Sequence, residues 1–357
     1  MHDASEGPLN AIAEAIVRRG AAPVAACGYA VRRPGGWKTH VSSDGSQLFD
    51  LASLTKPFTA AASALHGGLL DQPLGEALPW AASSGAARHP LAHLLGHCAG
   101  FDAHVPLFLP AIAGDHVDTA EALAHAARSF HAEARPAPER SPAVYSDLGY
   151  ALAGEALARA TGARDAGRAI EAHLIAALGL ADEVGCAETL RARLRDAEAR
   201  FVPTEPMAWR GGVSRGAVHD DNAWVLTGYG ASGHAGLFGT VHGVLGFGAA
   251  VLDGWLDGAG PLGALPWPRM LAPHEGTTWR MGFDGKSPGG GSTAGNRASN
   301  ASVGHLGFTG TSVWIDPERA AVTVLLTNRV HPSREFNALR ELRATVHDAL
   351  FALAENA

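Results

Sequence analysis

Strand signals lie at the two ends of this chain, and almost everything between them reads as helix. Val24 to Val31 is apolar with little charge, Pro34-Gly35-Gly36 has turn chemistry and Trp37 to Val41 alternates, so the stretch predicts a hairpin. Strand patterns return only at Ser302 to Phe308, Ser312 to Ile315 and Ala320 to Leu326, each bounded by Gly, Asp-Pro or Asn. From about residue 54 to 280 the chain is rich in Ala and Leu, with helical spacing near 54–66, 119–130, 148–161, 165–178 and 241–256. Strands this far apart share a sheet only if the termini meet, which makes the middle an insertion.

The expected fold class is therefore α+β. Residues 1–53 and 281–357 form an antiparallel sheet domain flanked by an N-terminal helix (8–19, stopped by Gly20) and a C-terminal helix (335–354). Residues 54–280 form a mostly helical inserted domain, and the cleft between the two is the expected site. Phe336, Leu339, Leu342, Val346, Leu350 and Leu353 make the apolar face of the last helix. The Gly-rich run Gly285 to Gly295 reads as a connector, with a mobile rim of the cleft as the alternative.

Composition removes several function classes. With 46% hydrophobic and 18% charged residues, 357 residues bury a large core, which excludes a disordered, collagen-like or disulfide-stapled chain. The 28 Lys+Arg against 35 Asp+Glu give a net charge of -7 with no basic run, so no nucleic-acid partner is expected. Cys27, Cys98 and Cys186 are far apart and lack a CxxC pair, so they read as small core residues. No stretch approaches the roughly 18 apolar residues that span a bilayer, so no membrane insertion is expected. The N-terminus has no basic segment followed by an apolar run, and the expected location is cytoplasmic unless a leader has been trimmed.

Three segments carry chemistry. Ser53-Leu54-Thr55-Lys56 opens the first helix of the middle region, in a chain with only three lysines. With Ser53 as N-cap, Pro57 falls where its missing N–H costs nothing, and Ser53 and Lys56 lie one turn apart. A neutral Lys56 could then take the Ser53 proton. Read alone, the pair also fits a capping serine followed by a solvated lysine. Tyr145-Ser146-Asp147 precedes the helix at Leu148, where a phenol could share that proton; alone, Tyr145 packs and its neighbours cap. Gly304-His305-Leu306-Gly307-Phe308 sits on a late strand, where Gly307 would let a substrate approach the backbone.

In order and spacing, Ser53-Leu54-Thr55-Lys56, Tyr145-Ser146-Asp147 and His305-Leu306-Gly307 resemble the three signatures of the serine β-lactamase and penicillin-binding-protein superfamily. The likeness is greatest to class C-like serine hydrolases and esterases. Leu94-Leu95-Gly96-His97-Cys98-Ala99-Gly100-Phe101 and Ala235-Gly236-Leu237-Phe238-Gly239-Thr240 resemble that family's flanking segments. The resemblance implies a β-lactamase/transpeptidase-like fold. It makes Ser53 the acylated nucleophile, Lys56 its base and Tyr145 the proton relay. The backbone N–H groups of Ser53 and Phe308 would form the oxyanion hole, while Asp147, His305, Leu306 and Gly307 would face the substrate.

Two departures narrow the substrate. β-Lactamases usually carry Lys-Thr-Gly in the third motif, whereas His305 is only partly charged and Leu306 has no donor, which weakens carboxylate recognition. The second motif usually ends in Asn, and an ionised Asp147 only accepts. The expected function is ester or amide hydrolysis. Alternatives are a D-amino-acid peptidase or DD-carboxypeptidase, a weak class C-type β-lactamase, and a non-catalytic binding or sensor module. The expected partner is a small ester, amide or peptide substrate, with no cofactor and no metal, and the oligomeric state stays open.

Other motifs lack their context. Gly212-Val213-Ser214-Arg215-Gly216 has no strand before it, and Gly258-Ala259-Gly260-Pro261-Leu262-Gly263 contains a proline. His93 and His97 have zincin spacing but Leu94 stands where the base belongs, so they read as helix-surface histidines. His219-Asp220-Asp221-Asn222 and His234 read as a polar loop over the cleft.

Overall fold

A computed structural model describes residues 6–212, 215–335 and 337–357. Its centre is a six-stranded antiparallel sheet in the order β2-β1-β9-β8-β7-β6. The strands are β1 (Ala25–Arg33), β2 (Gly36–Val41), β6 (Asp284–Gly285), β7 (Val303–Leu306), β8 (Ser312–Asp316) and β9 (Ala321–Thr327). The first and last strands of the chain thus meet: Cys27 pairs with Leu325 and Tyr29 with Thr323. β9 is buried along its whole length because both faces of the sheet are covered, which explains its unbroken apolar run.

The N-terminal helix (Glu6–Arg18) and the C-terminal helix (Leu339–Glu355) cover one face. Leu9, Ala13 and Ile16 pack there with Tyr29, Trp314, Leu325, Leu350 and Phe351. Phe336, assigned from sequence to the last helix's apolar face, lies outside the described residues. The helix Val241–Asp257 covers the other face. This differs from the sequence expectation, which put residues 241–256 in the insert. A 3.6-residue period shows that a helix has an apolar face, not which partner takes it. Glycines on both elements allow the contact: a Cβ on Gly28 would lie 2.9 Å from Val241, and one on Gly248 would collide with Val322. The Phe58 ring stacks on Phe247 at 4.0 Å, so one apolar core runs from sheet to helical region.

A second, three-stranded sheet, β3 (Phe49–Asp50), β5 (Leu237–Gly239) and β4 (Val184–Cys186) in that order, leads the chain into the Ser53 segment. The expected strand through Phe308 stops at Leu306, because Gly307 N–H bonds to Thr311 O and Gly310 N–H to Gly307 O, closing a turn. The Gly285–Gly295 stretch packs on the C-terminal helix: Ala294 is buried beside it, and the Arg297 N–H bonds to Asp348 at 2.6 Å. All three cysteines are buried and free. Among the described residues, no helix is long and apolar enough to cross a membrane.

Candidate active site

Ser53 is held by its neighbours rather than by a helix cap. It lies in a short 3-10 turn, Ala52–Leu54, that runs straight into the helix Thr55–Leu65, so its side chain is not spent on capping as the sequence had suggested. Ala52 has a φ of 46°, a left-handed conformation that costs an alanine about 1–2 kcal/mol. The turn is fixed from three sides. The Ala52 N–H bonds to Asp50 Oδ1 at 2.7 Å, and the Thr309 and Thr311 hydroxyls bond to the carbonyls of Asp50 and Leu51.

Gly307 belongs to the same clamp. A Cβ there would collide with Thr311 Oγ1 and come within 2.6 Å of the Leu51 carbonyl. Its bareness thus serves the contact between sheet edge and Ser53 segment. Among the described residues, neither the Ser53 nor the Phe308 N–H donates to another group. The Leu306 side chain is half-buried, and its carbonyl faces His305 Nδ1 at 2.8 Å.

Lys56 is buried and reaches three oxygens: Ser53 Oγ at 2.9 Å, Asp147 Oδ1 at 2.7 Å and the His234 carbonyl at 3.2 Å. The Tyr145 ring lies 4.7 Å from the ammonium, and the phenol and the Lys56 amine influence each other's ionisation. Burial alone would lower the Lys56 pKa, but Asp147 and then Tyr145 overcome it and hold the amine above its ordinary value. The resting centre is therefore an ion pair, not the neutral lysine expected from sequence. Burial likewise works to raise the Asp147 carboxyl, yet Lys56, His104 and His234 hold it far below the usual carboxylate range. Burial pushes the Tyr145 phenol up, which keeps it protonated at neutral pH.

Asp147 begins the helix Asp147–Thr161, capped by Ser146 Oγ, which accepts from the Gly149 N–H at 3.2 Å. Its second oxygen lies 3.8 Å from His104 Nδ1. Both face a polar cavity of about 230 Å³ that His104, Phe108, Asp220, Asp221, Phe308 and Arg334 help to line. Arg334 is occupied there by Glu205 and, at 3.1 Å, by Asp221.

His305 is nine-tenths or more buried, and burial followed by the nearby Lys56 pulls its pKa down to about 3. It is a neutral ring beside Tyr145 and Trp279, where the sequence had suggested a partly charged group.

Several neighbours escaped sequence reasoning. His97 is buried with a φ of 61°, takes the Ser146 N–H on Nδ1 at 3.1 Å and packs its ring at a tilt to Tyr145 and Tyr150 and edge-on to Trp279. Its signal was the 94–101 segment, whose family likeness carried more information than its zincin spacing. His93, also buried, faces His89 with Nδ1 atoms 3.0 Å apart, so neither is a surface histidine. Asp220 caps the helix Asp221–Thr227 and pairs with His234 Nε2 at 2.9 Å, while the His219 N–H bonds to Asp50. Among the described residues, no group of three or more His, Cys, Asp or Glu is placed to hold a metal ion. Ser214 lies outside the described residues.

An antiparallel sheet with helices on both faces and a helical region over its edge is the β-lactamase and transpeptidase fold. It is shared with a β-lactamase/D-alanine carboxypeptidase from Pseudomonas syringae, at 18% identity and TM-score 0.68, covering 97% of this chain and 99% of that one. A hydrolase with promiscuous acyltransferase activity aligns with TM-score 0.67 at 19% identity, over 97% of this chain and 98% of that one. The sequence matches the Beta-lactamase family over residues 7–348, so the chain belongs to that family and is a serine hydrolase of its kind. A relative from Salmonella gallinarum named "Putative D-alanyl-D-alanine carboxypeptidase" is 28% identical over 319 residues, 80% of this chain and 70% of its own length.

Proposed function

We propose that this protein hydrolyses small esters or amides through an acyl-enzyme on Ser53. The observation that carries the reading is the buried Lys56 ammonium, 2.9 Å from Ser53 Oγ, with the Tyr145 ring 4.7 Å away. Lys56 acts from its deprotonated form, reached as the ammonium gives its proton to solvent at alkaline pH, and the free amine then takes the Ser53 proton as Oγ attacks the carbonyl. Tyr145 passes that proton on to the leaving group and afterwards helps to activate water. The Ser53 and Phe308 N–H groups hold the oxyanion, each such donor being worth about 3 kcal/mol in the transition state.

The sheet side favours esters and simple amides over substrates bearing a carboxylate. His305 is neutral, Leu306 offers no side-chain donor, and Arg334 is already neutralised by Glu205 and Asp221. An anionic Asp147, unlike an amide, cannot donate to an acyl side chain. A panel of p-nitrophenyl esters, peptides ending in D-alanine and a chromogenic cephalosporin, each run against Ser53→Ala, tests the reading. Turnover of the esters that vanishes in the variant is expected. Release of D-alanine as the fastest reaction would move the function to a carboxypeptidase, and ester turnover surviving in the variant would refute the nucleophile.

A further inference from the structure

We propose that Arg343, in the C-terminal helix, is a positioning residue for the oxyanion hole, holding the carbonyl of the peptide unit whose N–H is the Phe308 donor. Arg343 Nη2 donates to Gly307 O at 3.1 Å, and that carbonyl and the Phe308 N–H belong to the same planar amide. Whatever fixes one end of the unit therefore fixes the other. The proposal rests on the reading of Ser53 as nucleophile and of the Phe308 amide as oxyanion donor.

The burial of this arginine asks for an explanation. Arg343 is 8% exposed on a helix face that otherwise packs Leu339, Val346, Leu350 and Phe351 against the sheet. Burying an unpaired guanidinium costs several kcal/mol, and an apolar residue would fill the place at no such cost. Yet among the described residues no carboxylate pairs with it, its Nε has no partner, and the charge that acts on it is the like-charged Arg329. Burial and Arg329 draw its pKa down to about 10, which still leaves it charged at neutral pH.

Among the described residues the cation's one hydrogen-bond partner is the Gly307 carbonyl, which also accepts from the Gly310 N–H at 3.0 Å. Placed there, the charge draws electron density along the amide and makes the far N–H a stronger donor to a developing oxyanion. One turn further along, His347 bonds Ser312 Oγ and Thr323 Oγ1 at 2.8 Å each, so the helix carrying Arg343 cannot slide on the sheet.

The test compares Arg343→Gln and Arg343→Lys with wild type in kcat/KM for a p-nitrophenyl ester and in inhibition by phenylboronic acid. The boronic acid forms an anionic tetrahedral adduct on a nucleophilic serine and so reports the oxyanion hole apart from leaving-group chemistry. Arg343→Gln is expected to lose about 10- to 100-fold in both quantities together, and Arg343→Lys, which keeps a cation, to lose less. A variant that melts at a lower temperature but keeps wild-type kcat/KM and boronate affinity would overturn the proposal and leave Arg343 a structural clamp. Should Arg343→Gln fail to fold, Arg343→Lys decides alone: parallel losses support the proposal and full retention of both overturns it. If Ser53→Ala still hydrolyses the ester and binds the boronate, the underlying reading falls and takes this proposal with it, an outcome distinct from wild-type behaviour in the Arg343 variants.

Discussion

The two walls of the cleft divide the chemistry unequally. The helical wall concentrates formal charge and mobile protons in Lys56, Asp147 and Tyr145. The sheet wall presents a neutral His305, a bare Gly307 and a free-standing Phe308 N–H, with the Arg343 cation held behind the backbone. Proton transfer needs groups whose ionisation can change, whereas stabilising an oxyanion needs fixed dipoles that do not move. Segregating the two lets each wall be buried for its own purpose.

If that division holds, the largest losses come from the helical wall. Ser53→Ala should lower kcat/KM for an ester by at least about a thousandfold, as nucleophile deletions do. Lys56→Arg should come close, because a guanidinium cannot surrender its proton. Tyr145→Phe should cost about a hundredfold by removing the relay. Retention of more than a tenth of the activity in either of the last two variants breaks the assignment of proton carriers to this wall. Asp147→Asn sharpens it. That change removes the leading upward influence on Lys56 and leaves burial, which works downward. Wild-type kcat/KM should therefore climb through the alkaline range, and the variant's rising limb should move down by about one pH unit or more. An unmoved limb would show that Asp147 does not govern the lysine.

For the neutral histidine of the sheet wall the same logic predicts a small effect. His305→Gln keeps a neutral side chain of similar reach and should stay within about fivefold of wild type; a hundredfold loss would reveal a proton carrier there. The buried neutral histidines instead report on stability. His305 and His347 have pKa values drawn down to about 3 by burial, and His97 is also well below its ordinary value. The unfolded chain binds protons on these rings near pH 6.5 and the native state does not. Stability should thus fall as pH drops from 6.5 toward 3, by up to about 1.4 kcal/mol per pH unit for each ring. A melting temperature constant between pH 7.5 and 4.5 would contradict this.

Much of the architecture was legible because strand and helix periods are local. The β1–β2 hairpin, the strands after residue 300 and the terminal helices were predicted close to where they stand. The placement of the helix Val241–Asp257 was not, since only the glycines of both partners make its close packing on the sheet possible. In the site, residue types and spacing brought Ser53, Lys56 and Tyr145 together, but not their protonation. Asp147 stands in place of the family's Asn, and spacing alone does not show that in three dimensions it pairs with Lys56 at 2.7 Å. Arg343 was invisible for a similar reason: on a helix wheel it is one polar residue among several, and only the fold shows that it ends at Gly307.

The most direct measurement is mass spectrometry of peptides from the protein after reaction with a fluorophosphonate probe. The predicted result is a single phosphonyl group on the peptide containing Ser53, absent from Ser53→Ala and formed more slowly in Lys56→Arg. A label on another residue, or equal labelling of wild type and Ser53→Ala, would contradict the claim that Ser53 is the nucleophile of this cleft.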